Sequence, residues 1–140
     1  MSQPISLQVT TNLNELVQVL NWFDNIDHGS VPNIDWLMCK TALAEIFTNA
    51  VRHAHKNLPP ETPITLEASL TEETIEIKVF DYGEVFDLAT KLEKMVEADI
   101  NATGGRGLHL INQVVDSFTC HQTADGRNYI QIRKKYLSTR

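Results

Sequence analysis

The order of hydrophobic patterns predicts an α/β protein built as a two-layer α/β sandwich. Three observations lead there. Five short stretches alternate apolar and polar residues with the period of a strand. Longer stretches repeat their apolar residues with the period of a helix. Leaving aside one short amphipathic stretch, their order along the chain is β-α-α-β-β-α-β-β, with both kinds long enough for two packed layers. At 140 residues the chain is expected to form one domain, residues 1–140.

Ile5, Leu7 and Val9 alternate with Ser6, Gln8 and Thr10, which predicts a first strand. Asn12 or Asn14 can cap the helix that follows, where Leu13, Leu16, Val17, Leu20 and Phe23 share one face until Asp27-His28-Gly29-Ser30 stops it. A second helix starts near Pro32-Asn33-Ile34-Asp35. Trp36, Cys39, Leu43, Ile46, Phe47, Ala50 and Ala54 form its apolar face, and Thr41, Glu45, Thr48, Asn49 and Arg52 the opposite one. Asn57-Leu58-Pro59-Pro60 ends it, because proline cannot continue the hydrogen-bond ladder. Ile64, Leu66, Ala68 and Leu70, then Ile75, Ile77 and Val79, predict an antiparallel hairpin joined by Thr71-Glu72-Glu73-Thr74. Residues 81–86 are expected to be a loop and 87–97 a short amphipathic helix. A further helix is expected from residue 108 to about 115, with Leu108, Ile111 and Val115 on one side. Phe118 and Cys120 predict a strand, Asp125-Gly126 a turn, and Ile130 and Ile132 the last strand.

Composition narrows the function. Twelve basic against eighteen acidic residues give a formal charge of −6, whereas nucleic-acid binders usually carry a basic excess because phosphate contacts supply their affinity. Direct nucleic-acid binding is not expected. No apolar run approaches the roughly 18 residues of a membrane span, and the first residues lack the basic end and apolar centre of a signal peptide. A cytoplasmic location follows as an expectation. Cys39 and Cys120 form no CxxC pattern and are expected to be reduced and buried. His53 and His55, two apart on a helix, point to different faces, and no cysteine or carboxylate completes a zinc set with them. Trp22 and Trp36 are expected at core or interface surfaces.

Three motifs carry chemistry. Glu45 and Asn49 lie one helical turn apart. An amide oxygen suits a hard cation such as magnesium, and a carboxylate suits a general base or water-orienting group. Asp81-Tyr82-Gly83 follows an apolar strand. There a carboxylate can accept from an exocyclic amine such as that of adenine, and a glycine lets the backbone approach a flat ring. Gly104-Gly105-Arg106-Gly107 places three of the six glycines within four residues at a helix start, where backbone N–H groups and the helix dipole favour phosphate. Taken singly, the first two read more readily as a solvated helix face and an ordinary Asp-x-Gly turn, and the third also reads as a capped loop, less readily because its glycines cluster. Their succession describes one nucleotide site, without the GxxxxGK[ST] of a P-loop or the GxGxxG of a dinucleotide fold.

The segment Glu45-xxx-Asn49-Ala50-Val51-Arg52-His53-Ala54 resembles the N-box of the GHKL (Bergerat-fold) ATPases. Asp81-Tyr82-Gly83 resembles their first glycine box, and Gly104-Gly105-Arg106-Gly107-Leu108 their second. Within that superfamily the chain is most similar to bacterial anti-sigma-factor serine/threonine kinases, over about residues 5–136. The resemblance implies a mixed, mostly antiparallel sheet covered by helices on one face, and an ATP lid at about residues 84–103. It implies ATP and magnesium as cofactors, with Glu45 as the base, Asn49 on magnesium and Asp81 on the adenine amine. Gly105, Arg106 and Gly107 would hold the phosphates, with Gly104 and Leu108 in the same box, Gly83 at the adenine box, and His53 one turn beyond Asn49 near the phosphates.

The implied partners are an anti-anti-sigma protein with a STAS domain, phosphorylated on serine or threonine, and a sigma factor held by sequestration. Relatives often pair, so a homodimer is a further expectation. The chain departs from the family where a second glycine often stands, at Val85, and where last-strand threonines are replaced by Gly126-Arg127-Asn128-Tyr129. The latter change removes an auxiliary adenine contact or passes it to Asn128. The alternative function is a nucleotide-binding regulatory module that sequesters its partner with little turnover. A histidine-kinase catalytic domain shares the boxes, but 140 residues are not expected to include a phosphoacceptor helix pair.

Overall fold

The computed structural model describes residues 4–83 and 115–139. They comprise strand β1 (Ile5–Thr10), helix α1 (Leu16–Asp24), helix α2 (Asn33–Asn49) and strands β2 (Pro63–Leu70), β3 (Thr74–Asp81), β4 (Ser117–Gln122) and β5 (Asn128–Lys135). A 3₁₀ turn, Leu13–Glu15, leads into α1, and a π turn, Ala50–Ala54, continues α2. The helices expected at 87–97 and from 108 lie outside the described residues, apart from Val115, which is buried just ahead of β4.

Local chemistry explains the boundaries. The Asn12 side chain accepts the Asn14 backbone N–H at 2.9 Å and opens the 3₁₀ turn. Pro32 precedes α2, where its missing N–H costs nothing. In the β2–β3 turn the Thr71 hydroxyl accepts the Thr74 N–H at 3.0 Å. Gly126 turns β4 into β5 at φ 89°, a conformation that side-chain-bearing residues avoid.

The strands form one five-stranded sheet in the order β1-β2-β3-β5-β4. Every described pairing is antiparallel, so the described sheet has no parallel component of the kind a mixed sheet would hold. Two hairpins, β2–β3 and β4–β5, impose this direction, and β1 and β5 join β2 and β3 in the same sense. Alternate residues of β2 (Ile64, Leu66, Ala68) and β3 (Ile75, Ile77, Val79) are buried. They share one core with Val19 and Phe23 of α1 and with Leu43, Ile46 and Phe47 of α2. Each fully buried aliphatic or aromatic side chain stabilises the fold by about 1.5–3 kcal/mol relative to exposure.

The helix layer is tied together at Trp36. Its ring stacks on Phe23 at 4.0 Å and on His28 at 3.8 Å, and its indole N–H donates to Asp24 at 3.3 Å. The Lys40 ammonium pairs with the same carboxylate. Trp36 is thus a core residue, and Trp22 packs partly buried against that core. Cys39 and Cys120 are free and buried, and burial pushes the Cys39 thiol up to about 12, leaving it protonated and unreactive. No helix among the described residues is long and apolar enough to cross a membrane.

Candidate functional site

The C-terminal end of α2, the π turn and the end of β3 meet at one place. Asn49, the last residue of α2, is 8% exposed. This corrects its expected place on the solvated face. Its side chain folds back along its own helix, where Nδ2 donates to the Glu45 carbonyl at 2.8 Å. With its nitrogen so committed, the amide has its oxygen left as the atom able to accept a donor or a cation. Glu45, one turn earlier, is half-buried.

Beyond Asn49 the α-helical ladder widens. The His55 N–H reaches back five residues to the Ala50 carbonyl at 2.9 Å, the bond of a π turn, which recurs at functional sites. The change decides where the two histidines go. At 3.6 residues per turn, position 55 would lie about 140° around the helix from position 50. The wider turn brings it back to the same side. His55 is therefore buried, 2% exposed, while His53 stays exposed.

His55 then closes a chain of hydrogen bonds. The Tyr82 N–H donates to His55 Nε2 at 2.8 Å. Nδ1 lies 2.8 Å from the Thr11 hydroxyl, which itself donates to the Thr62 carbonyl at 2.6 Å. Only one arrangement satisfies all three contacts. Nε2 is the bare acceptor, and Nδ1 carries the proton and gives it to Thr11. Burial lowers the His55 pKa below its ordinary 6.5 and outweighs the nearby Asp81 charge, which raises it.

The loop that Tyr82 anchors holds Asp81, which is 2% exposed at the end of β3. Asp81 Oδ1 accepts the Gly83 N–H at 2.8 Å and approaches Asn128 Nδ2 at 3.4 Å. Asn128 sits opposite Asp81 in the β3–β5 register, is 5% exposed, and also donates to the Gly83 carbonyl at 2.7 Å. At Gly83 a Cβ would lie 2.9 Å from the Ala54 carbonyl oxygen and 3.1 Å from its Cβ. Glycine is required there so that the loop can rest on the π turn.

Of the residues singled out in the sequence, Asn49 and Glu45 lie at the end of α2, His53 on the π turn, and Asp81 and Gly83 on the loop against that turn. Two motifs more than thirty residues apart in the chain thus share one wall. Gly104, Gly105, Arg106, Gly107 and Leu108 lie outside the described residues, as does the segment 84–103. Asn128, named in the sequence for an auxiliary adenine contact, lies beside Asp81. Sequence reasoning missed His55 and Thr11 as parts of the site. The π turn that turns His55 inward leaves no mark on a 3.6-residue periodicity.

A sequence model of the histidine kinase-like ATPase domain matches residues 9–134. The chain belongs to the histidine kinase-like ATPase domain family. Its resemblance to curated proteins is consistent with that membership. It is 35% identical over 83 residues to the serine-protein kinase RsbW of Listeria innocua, an alignment covering 55% of this chain and 52% of that protein. It is 34% identical over 89 residues to the serine-protein kinase RsbW of Staphylococcus aureus strain MSSA476, covering 59% of this chain and 56% of that protein. The chain spans about half the length of the curated relatives it matches. The matched range contains both described motifs, Glu45-xxx-Asn49 and Asp81-Tyr82-Gly83.

Proposed function

We propose that this histidine kinase-like ATPase domain is an ATP- and magnesium-dependent protein-serine/threonine kinase that regulates transcription by partner switching. The observation that carries the reading is the meeting of a buried Asn49 and a buried Asp81 on adjoining segments, with Gly83 seated on the π turn between them. The resident groups fit the ligands by their chemistry. Asp81, fixed at Oδ1 by the Gly83 N–H and Asn128, is a rigid acceptor for the adenine amine. Gly83 lets the loop rest on the π turn, which keeps Asp81 in place. Asn49 would hold magnesium through its amide oxygen, and the ion, when bound, neutralises charge on the phosphates. Gly104, Gly105, Arg106 and Gly107, with Leu108, are assigned to the phosphates, His53 to their vicinity, and residues 84–103 to the segment covering them.

In the transfer, Glu45 accepts the proton of a serine or threonine hydroxyl on the partner. That oxygen bonds the γ-phosphorus of ATP as the bond to the β-phosphate oxygen breaks, leaving ADP and a phosphorylated partner. The similarity to serine-protein kinases supports the class of acceptor. The proposed acceptor is a STAS-domain anti-anti-sigma protein, with a sigma factor as the sequestered output and the cytoplasm as the place of action. A homodimer is part of the same proposal.

The direct test uses the purified chain, magnesium, ATP labelled at the γ-phosphate and the STAS-domain protein encoded beside it. Label is expected on a serine or threonine of that partner. Glu45→Ala is expected to abolish transfer while ATP affinity stays within about a few-fold, since a base acts in the transition state rather than in binding. Tight ATP binding with no transfer by the unaltered chain replaces the kinase by a sequestering binder.

A further inference from the structure

The one buried histidine of the described core is not used by the reading above, yet it holds the backbone next to the proposed adenine acceptor. We propose that His55 is a positioning residue for the adenine end of the site. In its neutral form it fixes the backbone of Tyr82 and with it the aim of Asp81, and its protonation releases that backbone and weakens adenine-nucleotide binding in acid. The inference rests on the assignment of Asp81 to the nucleotide.

The geometry leaves little freedom. Tyr82 N–H can only donate, so its bond at 2.8 Å exists only while Nε2 is bare. The Thr11 hydroxyl spends its own proton on the Thr62 carbonyl, so the imidazole proton must be on Nδ1. An imidazolium carries N–H on both nitrogens. It would set one donor against another at Tyr82 and leave that backbone N–H without its acceptor. Tyr82 lies directly between Asp81 and Gly83, and Gly83 has no slack against Ala54. A displacement at Tyr82 therefore passes to the carboxylate on one side and to the glycine packed on Ala54 on the other.

The groups around the ring are identifiable. From the residue after β1 comes the Thr11 hydroxyl, from β3 the Asp81 carboxylate, and from the following loop the Tyr82 ring, 6.5 Å away and tilted. Asp81 is the ionised group acting on His55 among the described residues, and it favours the imidazolium. Burial opposes it and is the larger effect, so His55 is neutral near pH 7 and takes up its second proton only below the ordinary 6.5. Such a device would make occupancy of the site respond to acidification without a change at any residue that touches the phosphates.

Two readouts test the proposal on the whole chain between about pH 8 and about pH 5.5, the range in which a histidine titrates. The first is the nitrogen–proton resonance of the Tyr82 amide, followed without nucleotide. The second is the affinity for a non-hydrolysable magnesium–ATP analogue. The Tyr82 amide is expected to shift with the same midpoint as the His55 ring. Wild-type affinity is expected to fall across that range. His55→Ala is expected to weaken binding about fivefold to tenfold near pH 8, the cost of one buried hydrogen bond. His55→Gln, whose amide can accept from Tyr82 and donate to Thr11 without titrating, is expected to restore most of that loss. It should keep only the pH slope that belongs to the nucleotide's own phosphates. Identical pH profiles for wild type and His55→Gln, or a Tyr82 amide indifferent to the ring's titration, overturn the proposal. Absence of binding by the wild type at every pH overturns the nucleotide assignment instead, and the Tyr82 resonance still decides whether His55 holds the loop.

Discussion

A single methyl group tests how closely the two motifs are joined. At position 83 a Cβ would sit 2.9 Å from a backbone oxygen of the π turn, and backbone cannot swing aside as a flexible side chain does. Gly83→Ala is expected to push the Asp81 loop off the turn, lowering stability by about 1–3 kcal/mol in the manner of an overpacked site and weakening adenine-nucleotide binding. Thermal unfolding and calorimetry check both effects, and unchanged values contradict the close contact. At this scale the sequence was only partly legible. Asp81, Gly83 and Glu45-xxx-Asn49 stand out because their chemistry and spacing are local. Asn49 reads as solvated from its helical position, because periodicity does not register a side chain that bonds back to its own helix. His55 reads from the sequence as half of an unconvincing metal pair, and nothing in the sequence marks Thr11. Their contact spans 44 residues and exists only in the fold.

Among elements, α2 bears the heaviest duty. It supplies Leu43, Ile46 and Phe47 to the core and carries Glu45 and Asn49 at its end. Leu43 has no exposure, so Leu43→Ala is expected to cost about 2–5 kcal/mol, the range for truncating a fully buried leucine. Denaturant unfolding measures this, and a loss below about 1 kcal/mol would mean that the helix does not seat where described. Strand identities were readable because β2 and β3 alternate cleanly, with one face buried against the helices. The pairing order was not. Placing β5 between β3 and β4 depends on contacts between distant segments, and nothing within one strand specifies its neighbour. The register has a functional consequence, since it sets Asn128 opposite Asp81.

For the molecule as a whole, acid is the condition that separates its ionisable groups. Lys40 holds the Asp24 carboxyl below its usual 3.8, so what Asp24 contributes is lost only in strong acid. Cys39 stays protonated up to about 12. His55, with its pKa lowered by burial, binds its proton more readily unfolded than folded. Its contribution is therefore complete above 6.5 and declines as the pH falls below that value. Acidification toward the isoelectric point near 5.3 also relieves repulsion among the excess carboxylates, so the effect is read against His55→Gln. The melting temperature of the wild type is expected to fall relative to that variant as the pH drops from about 7 to about 5.5, and parallel curves contradict the burial of a neutral imidazole. The central claim, that the sheet end and the helix end build one adenine-nucleotide site, is tested most directly by calorimetric titration of magnesium–ATP into the wild type and Asp81→Asn. Saturable one-to-one binding by the wild type is predicted, with a loss of about 1–3 kcal/mol in the variant as a buried polar partner is spoiled. Equal affinity in the two proteins would contradict it.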